Sequence, residues 1–310
     1  MSRIRIATRG SDLALAQADW TARRIRERLG VESERVVIET QGDRILDRPL
    51  AKIGGKGLFV KEIEEALLSG RADVAVHSAK DLPAEVPAGL VLAAFPERLD
   101  PCDALVTAEP GATLLSLKEG ARVGTGSVRR TALLRARRPD LEIVPLRGNV
   151  PTRLQKLESE GLDAIVLACA GLLRLGQGAR IGERLSPEVM LPAVCQGTLA
   201  LEVCAAGEWA ERIAELDDAE TALRVAAERG LLVALEADCS VPLAGLCEVE
   251  GGDLRLRGLL ASPMGELIAA ERRAPADLKH AAEAGERVAR DLLEAGGREL
   301  LAELRAAEKA

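Results

Sequence analysis

Two stretches of the chain repeat one pattern of strand, glycine-containing turn and helix, and that repeat narrows the fold more than any other feature. RVVIETQGD (35–43) parallels LEIVPLRGN (141–149), SGRADVAV (69–76) parallels EGLDAIVL (160–167), and ATRGSDLAL (7–15) parallels GTGSVRRTAL (124–133). In the first half, residues 3–7 alternate as a strand, the pattern turns helical to about 28, and strands return at 35–39, 73–77 and 90–94, with a helix over 58–68. In the second half, residues 122–127 run into a helix ending near 137, followed by a strand at 142–146, a helix at 152–160 and a strand at 163–168. Strand and helix in alternation imply a mainly parallel sheet in each half. Two such α/β lobes leave a cleft between them, and ligands of open α/β sheets gather at the carboxyl ends of strands. Between the first lobe's elements, residues 41–57 are rich in Gly and charge and read as a mobile surface loop.

The last third changes character. A helix over 219–235 leads into a loop at 237–245, then short strands at 246–250, 254–260 and 266–271 joined by turns at 251–252 and 262–265, then two helices. Strands in hairpin order flanked by helices read as a small α+β domain. A length of 310 residues suits two or three domains with buried cores.

Composition excludes several classes. With no Tyr, two Phe and two Trp, the core is aliphatic and a base-stacking nucleic-acid platform is not expected. A net charge of −7 argues against duplex binding. Six Cys without a CxxC pair, and two His, make a zinc site improbable. The longest apolar run, 164–173, is too short for a membrane span, and MSRIRI leads straight into a strand, so a reduced, cytoplasmic protein without a membrane partner is expected.

The arginines carry the functional signal. Of 42 Lys and Arg only eight are Lys. Arg9, Arg129, Arg130, Arg147, Arg153 and Arg174 fall where strands end and helices begin, Arg174 following the strand at 163–168. A helix N-terminus is already the positive end of its dipole, so Arg there costs stability unless an anion sits nearby. The pattern points to a polyanionic ligand, carboxylate or phosphate. GGKG (54–57) is no P-loop, since Lys56 is followed by Gly, although Lys52 and Lys56 can reach an anion from the loop.

HSAKDLP (77–83) follows a strongly apolar strand. Asp81 there suits acid/base work or stabilisation of a developing cation, or simply caps the turn. His77 reads as a hydrogen-bonded strand-end residue, and a Ser-His-Asp triad on so short a segment is improbable. Cys169, Cys195 and Cys204 read as small core hydrophobes. Cys239 is the one thiol in a clear loop, a candidate nucleophile or attachment point that neighbouring Asp238 makes harder to ionise.

Together these segments resemble the porphobilinogen deaminase (hydroxymethylbilane synthase) family: ATRGSDLALAQ (7–17), TQGDRILDRPLAKIGGKGLFVKEIEEAL (40–67), DVAVHSAKDLP (73–83), VGTGSVRR (123–130), LRGNVPTRL (146–154), LACAGLLRLG (167–176), LPAVCQGTLALE (191–202) and ERGLLVALEADCSVPLAG (228–245), in order over residues 3–245. The resemblance implies two similar periplasmic-binding-protein-like α/β lobes with a cleft, 1–98 with 197–215 and 99–196, plus a C-terminal α+β domain, 216–310, carrying a Cys on a loop. It implies a transferase that condenses four porphobilinogens head to tail on a dipyrromethane cofactor held by a thioether at Cys239, releasing linear hydroxymethylbilane in tetrapyrrole (haem) biosynthesis. It assigns Asp81 as the catalytic carboxylate that stabilises the cation left when ammonia departs. Lys80, Ser78, Arg129, Arg130, Arg147 and Arg174 match cofactor-binding positions; Arg9, Arg153, Lys52, Lys56, Phe59 and Gln196 match substrate-binding ones. It suggests a monomer and no metal. The competing readings are a two-lobed carboxylate-binding protein without chemistry and a Cys-nucleophile hydrolase, which would lack a general base.

Four positions depart from the family pattern. Ala237-Asp238 stand where Gly-Gly is usual, so strain at Ala237 is expected if those glycines serve a positive φ. Cys102 stands where Arg is usual, and Cys195 where Gly is usual.

Overall fold

A computed structural model describes residues 3–44, 60–238 and 240–309. β1 (Ile4–Thr8) is almost wholly buried and gives way to α1 (Asp12–Leu29), which starts where the Ser11 hydroxyl accepts the Ala14 N–H and stops at Gly30 in the left-handed region. β2 (Ser33–Val37) pairs parallel with β1. A single helical turn, α2 (Gln41–Arg44), occupies the start of the segment expected to be loop; residues 45–59 lie outside the described residues. α3 (Lys61–Leu68), β3 (Val74–Ser78) and β4 (Leu90–Ala94) follow.

The chain then crosses to a second sheet: β5 (Asp103–Thr107), β6 (Arg122–Thr125), α4 (Val128–Arg137), β7 (Glu142–Pro145), α5 (Val150–Ser159), β8 (Ala164–Ala168), α6 (Cys169–Arg174) and β9 (Glu183–Leu185). β10 (Leu199–Cys204) returns to the first sheet. The two five-stranded sheets have the same order, β2-β1-β3-β10-β4 and β7-β6-β8-β5-β9. The sheets are mixed, not mainly parallel: β10 runs antiparallel to β3 and β4, and β5 antiparallel to β8 and β9. β5, β9 and β10 have no counterpart in the sequence reading. β5 and β10 each begin opposite the carboxyl end of a neighbour, Asp103 facing Ala168 and Leu199 facing Ser78, because the chain arrives there from the other lobe.

The repeat extends to single hydrogen bonds. Arg5 N donates to Asp73 Oδ2 at 2.7 Å and its Nη1 to Gly70 O at 2.7 Å. In the second lobe Arg122 N donates to Asp163 Oδ2 at 2.8 Å and its Nη1 to Glu160 O at 2.7 Å. Ser11 and Ser127 cap the equivalent helices. A shared backbone clamp at matching positions is what duplication of one α/β unit leaves behind.

The third unit follows α7 (Trp209–Ala214). It comprises α8 (Ala219–Ala234), an antiparallel sheet of β11 (Leu243–Glu250), β12 (Asp253–Ala261) and β13 (Leu267–Pro275), and helices α9 (Leu278–Leu292) and α10 (Arg298–Lys309). α8 and α9 cross at van der Waals contact through Gly285, where an added Cβ would lie 2.4 Å from Ala227 O. The core of this unit is continuous with Ala79 and Leu82, so it supports from beneath the turn that carries Lys80 and Asp81.

The expected strain at Ala237 is displaced by one residue. The left-handed backbone after α8 falls on Glu236, at φ 49°, which ends the helix. Asp238 Oδ1 accepts both the N–H and the hydroxyl of Ser240. Cys195, where Gly is usual, is the other non-glycine residue at positive φ, 59°, among the described residues. It is buried like Cys169, whereas Cys204 is half-buried.

Candidate functional site

The candidate residues follow the carboxyl ends of β1, β3, β6, β7 and β8 along the chain. β1 ends beside Arg9, whose neighbours around a small recess include Gln17, His77, Ser78 and Asp81. Gln17 Nε2 donates to Ser78 Oγ at 2.9 Å. His77 is the strand-end residue expected, buried against Glu202 with Nε2 and Oε2 3.0 Å apart. β3 ends in a 3₁₀ turn, Ala79–Asp81, that leaves Asp81 exposed.

Lys80 links this turn to the second lobe. Its Nζ donates to Gln196 Oε1 at 3.1 Å, and Gln196 Nε2 donates to Asp103 Oδ1 at 2.9 Å. Asp103 is fully buried at the start of β5 and receives two guanidinium groups from the first turn of α4. Arg130 donates through Nε at 3.0 Å and Nη2 at 2.7 Å to Oδ1, and Arg129 Nη2 lies 2.8 Å from Oδ2. Burial alone would push the Asp103 carboxyl up; Arg129 and Arg130 outweigh it and hold it down to about 2. Burial, and then the charge of Arg130, pull the Lys80 ammonium down to about 8.

The remaining cations stand around this core. Arg153, in the first turn of α5, donates through Nε to Gly148 O at 2.7 Å, and Arg174, the last residue of α6, through Nη2 to Gly197 O at 2.7 Å. Burial lowers both to about 10; for Arg153 the charges of Arg130 and Arg147 add to the effect and Asp81 opposes it. Arg147 follows β7 and is half-buried. Neither Arg153 nor Arg174 has an ion-pair partner among the described residues, and Arg129 Nε is buried without a hydrogen-bond partner. Positive charge therefore exceeds what Asp103 neutralises.

The structure thus gathers Arg9, Ser78, Lys80, Asp81, Arg129, Arg130, Arg147, Arg153, Arg174 and Gln196 about one cleft. Lys52, Lys56, Phe59 and Cys239 lie outside the described residues; Asp238 and Ser240, which flank Cys239 in sequence, are hydrogen-bonded to each other. Three members of the network were absent from the sequence reading. Asp103 opens an apolar strand and looks like an ordinary edge residue until the two arginines are brought to it. Arg98 and Glu228 form a buried pair at 2.6 Å between the lobe crossing and α8. Glu228 also accepts the Cys195 N–H at 2.5 Å and the Cys247 N–H at 2.8 Å, and Arg98 Nε donates to Gln196 O at 2.8 Å.

Comparison with known proteins agrees with this geometry. The model of the porphobilinogen deaminase, dipyromethane cofactor binding domain, matches residues 4–230, and that of the porphobilinogen deaminase C-terminal domain matches residues 222–294. Porphobilinogen deaminase of Syntrophotalea carbinolica is 50% identical over 307 residues, 98% of this chain and 96% of that protein. The protein of the same name from Xanthomonas campestris pv. campestris is 51% identical over 98% of this chain and all of its own length. Likeness to solved structures is looser: the Bordetella pertussis BvgS periplasmic VFT2 domain aligns at 17% identity with a TM-score of 0.39, covering 69% of this chain and 86% of that one. Two domain models in sequence order and relatives matched end to end at half identity have one meaning: the chain belongs to the porphobilinogen deaminase family.

Proposed function

We propose that this cleft joins four porphobilinogen molecules head to tail, losing one ammonia at each joint, and then releases linear hydroxymethylbilane by adding water. The observation that carries the reading is the surplus of positive charge around Asp103, where buried Arg129 and Arg130 share one carboxylate and half-buried Lys80, Arg153 and Arg174 stand without one among the described residues. Buried guanidinium and ammonium groups without carboxylate partners are costly unless a ligand supplies the anions. Porphobilinogen brings an acetate and a propionate on every ring.

The same residues fit a dipyrromethane with its four carboxylate arms. Lys80, Arg129, Arg130 and Arg174 would hold it, with Ser78 and Arg147 beside them, and Cys239 would tether it. When bound, the group supplies the pyrrole carbon to which substrate is joined. Arg9, Arg153 and Gln196 are assigned to the incoming substrate, with Lys52, Lys56 and Phe59 reaching it from the 41–57 segment. Arginine is suited to this task because its fork meets both oxygens of a carboxylate.

Asp81 is the residue we assign to chemistry. When the aminomethyl C–N bond breaks, positive charge spreads onto the pyrrole nitrogen of the substrate. A carboxylate at that N–H stabilises the charge as it develops, and the same oxygen can carry the proton lost when the new C–C bond restores the ring. Charges of opposite sign on Arg153 and Asp81 already act on each other across the cleft.

In this reading the chain divides into lobes of 1–98 with 197–215 and 99–196 and a C-terminal domain of 216–310, and works as a cytoplasmic monomer on a small-molecule substrate, without nucleic acid or membrane. Among the described residues, no helix is long and apolar enough to cross a membrane. The test is ammonia release from porphobilinogen by Asp81→Ala beside Asp81→Glu. Loss of kcat by roughly 10²-fold or more in the alanine variant, with partial activity in the glutamate variant, is expected. Wild-type turnover in Asp81→Ala would contradict the assignment.

A further inference from the structure

A second, larger cavity lies between the second lobe and the C-terminal unit. Its volume is about 290 Å³, against about 30 Å³ for the recess beside Asp81. The smaller space suits a water or two. The larger approaches the size of small-ligand pockets. It is lined by Ser127, Thr131 and Arg135 from the second lobe and by Ser240, Pro263 and Leu304 from the C-terminal unit. Two of its lining residues meet directly, Arg135 Nη1 donating to Pro263 O at 2.6 Å. From Ser127 to Arg135 the helix advances about 12 Å.

We infer that this cavity takes up the lengthening product, a carboxylate-bearing oligopyrrole. The inference rests on the proposed condensation and on Cys239 as the tether. Each new unit joins at the free end, beside Asp81. The Asp81 turn is backed by the core of the C-terminal unit and tied through Lys80 to Gln196, so the reacting end stays where it is. Length gained at a fixed end must be accommodated toward the tether. Ser240, next to Cys239 in sequence, lines this cavity, which is large enough for a ring. The lining matches the cargo: the Thr131 hydroxyl and the Arg135 guanidinium for acetate and propionate arms, and Ile143 and Leu304 for ring faces.

The cavity can be filled from either wall, with Thr131→Trp or Leu304→Trp, in holoenzyme whose tethered adduct has been verified by intact mass. Porphobilinogen is added stepwise and the protein mass read after each step. The wild type is expected to show successive added units and then release product. Both filled variants are expected to accept the first unit as the wild type does, to accumulate early adducts, and to release product at least tenfold more slowly. Arg135→Gln should shift the same distribution toward early adducts without adding bulk. A wild-type ladder and release rate in both tryptophan variants would overturn the inference, and so would failure at the first addition, which would mark the cavity as part of initial binding. Absence of any adduct in the wild type would instead overturn the proposed function.

Discussion

Lys80 Nζ and Gln196 Oε1 lie 3.1 Å apart, and that contact ties the turn bearing Asp81 to the carboxylate cluster of the other lobe. Gln196 sits on the second lobe crossing, fully buried, with its side-chain nitrogen donating to Asp103 and Pro101 O and its main-chain carbonyl accepting from Arg98 Nε. One side chain therefore sets the distance between an exposed acid and a buried set of cations.

Gln196→Leu removes the three side-chain bonds to Asp103, Pro101 O and Lys80 while filling the space. Unfolding free energy should fall by about 1–3 kcal/mol, the cost of leaving buried polar groups unsatisfied, and KM for porphobilinogen should rise. Denaturant melts and initial rates check this. Unchanged KM would show that the bridge plays no part in positioning.

Asp103→Asn leaves Arg129 and Arg130 buried beside a neutral group. Breaking a buried ion pair from one side costs about 3–5 kcal/mol, so the variant should melt well below the wild type. The pH dependence has a definite sign. The folded value lies near 2, below the ordinary 3.8, so the wild type gains stability from this carboxylate above pH 4 and loses it as pH falls toward 2. Acid titration of stability should show that limb in the wild type and lack it in Asp103→Asn.

Lys80 works in the opposite range. Its folded value of about 8 lies below the ordinary 10.5, so the ammonium is disfavoured in the empty cleft and its charge is lost as pH rises through 8. Carboxylate binding should weaken over that interval, and KM should climb above pH 8. Lys80→Gln should have a high KM with this limb missing. A limb of wild-type size in the glutamine variant would assign it to another group.

Glu228 joins three parts of the molecule, with Arg98 from the lobe crossing and the N–H groups of Cys195 and Cys247 on one carboxylate. Glu228→Gln should destabilise by about 3–5 kcal/mol. In the double variant with Arg98→Met the loss should be smaller than the sum of the two single losses, because neither charge is then left alone. Additive losses would mean that the pair is not the unit of stability.

Much of the architecture was legible because it is written locally. Apolar runs such as 73–77 and 163–168 mark buried strands, Ser11 and Ser127 mark helix starts, and the arginines sit where strands stop. β5, β9 and β10 were not legible, since short strands that pair with partners more than 50 residues away carry no local period. For the same reason Asp103 and Glu228 escaped notice. An acidic residue in an apolar stretch acquires meaning only when its arginines arrive from distant elements, Arg129 and Arg130 in one case and Arg98 in the other. The Gly-to-Ala-Asp change before Cys239 drew attention to the wrong residue: the φ/ψ requirement belongs to the helix end at Glu236, which the sequence alone does not locate. Cys195 at positive φ shows where the usual glycine was used.

The most direct measurement is the intact mass of the purified protein beside Cys239→Ser, each before and after incubation with porphobilinogen. The account predicts a wild-type adduct of two porphobilinogen units less two ammonias, present at purification or restored by substrate, and no adduct in Cys239→Ser. An unmodified wild-type mass after incubation, or the same adduct in the serine variant, would contradict it.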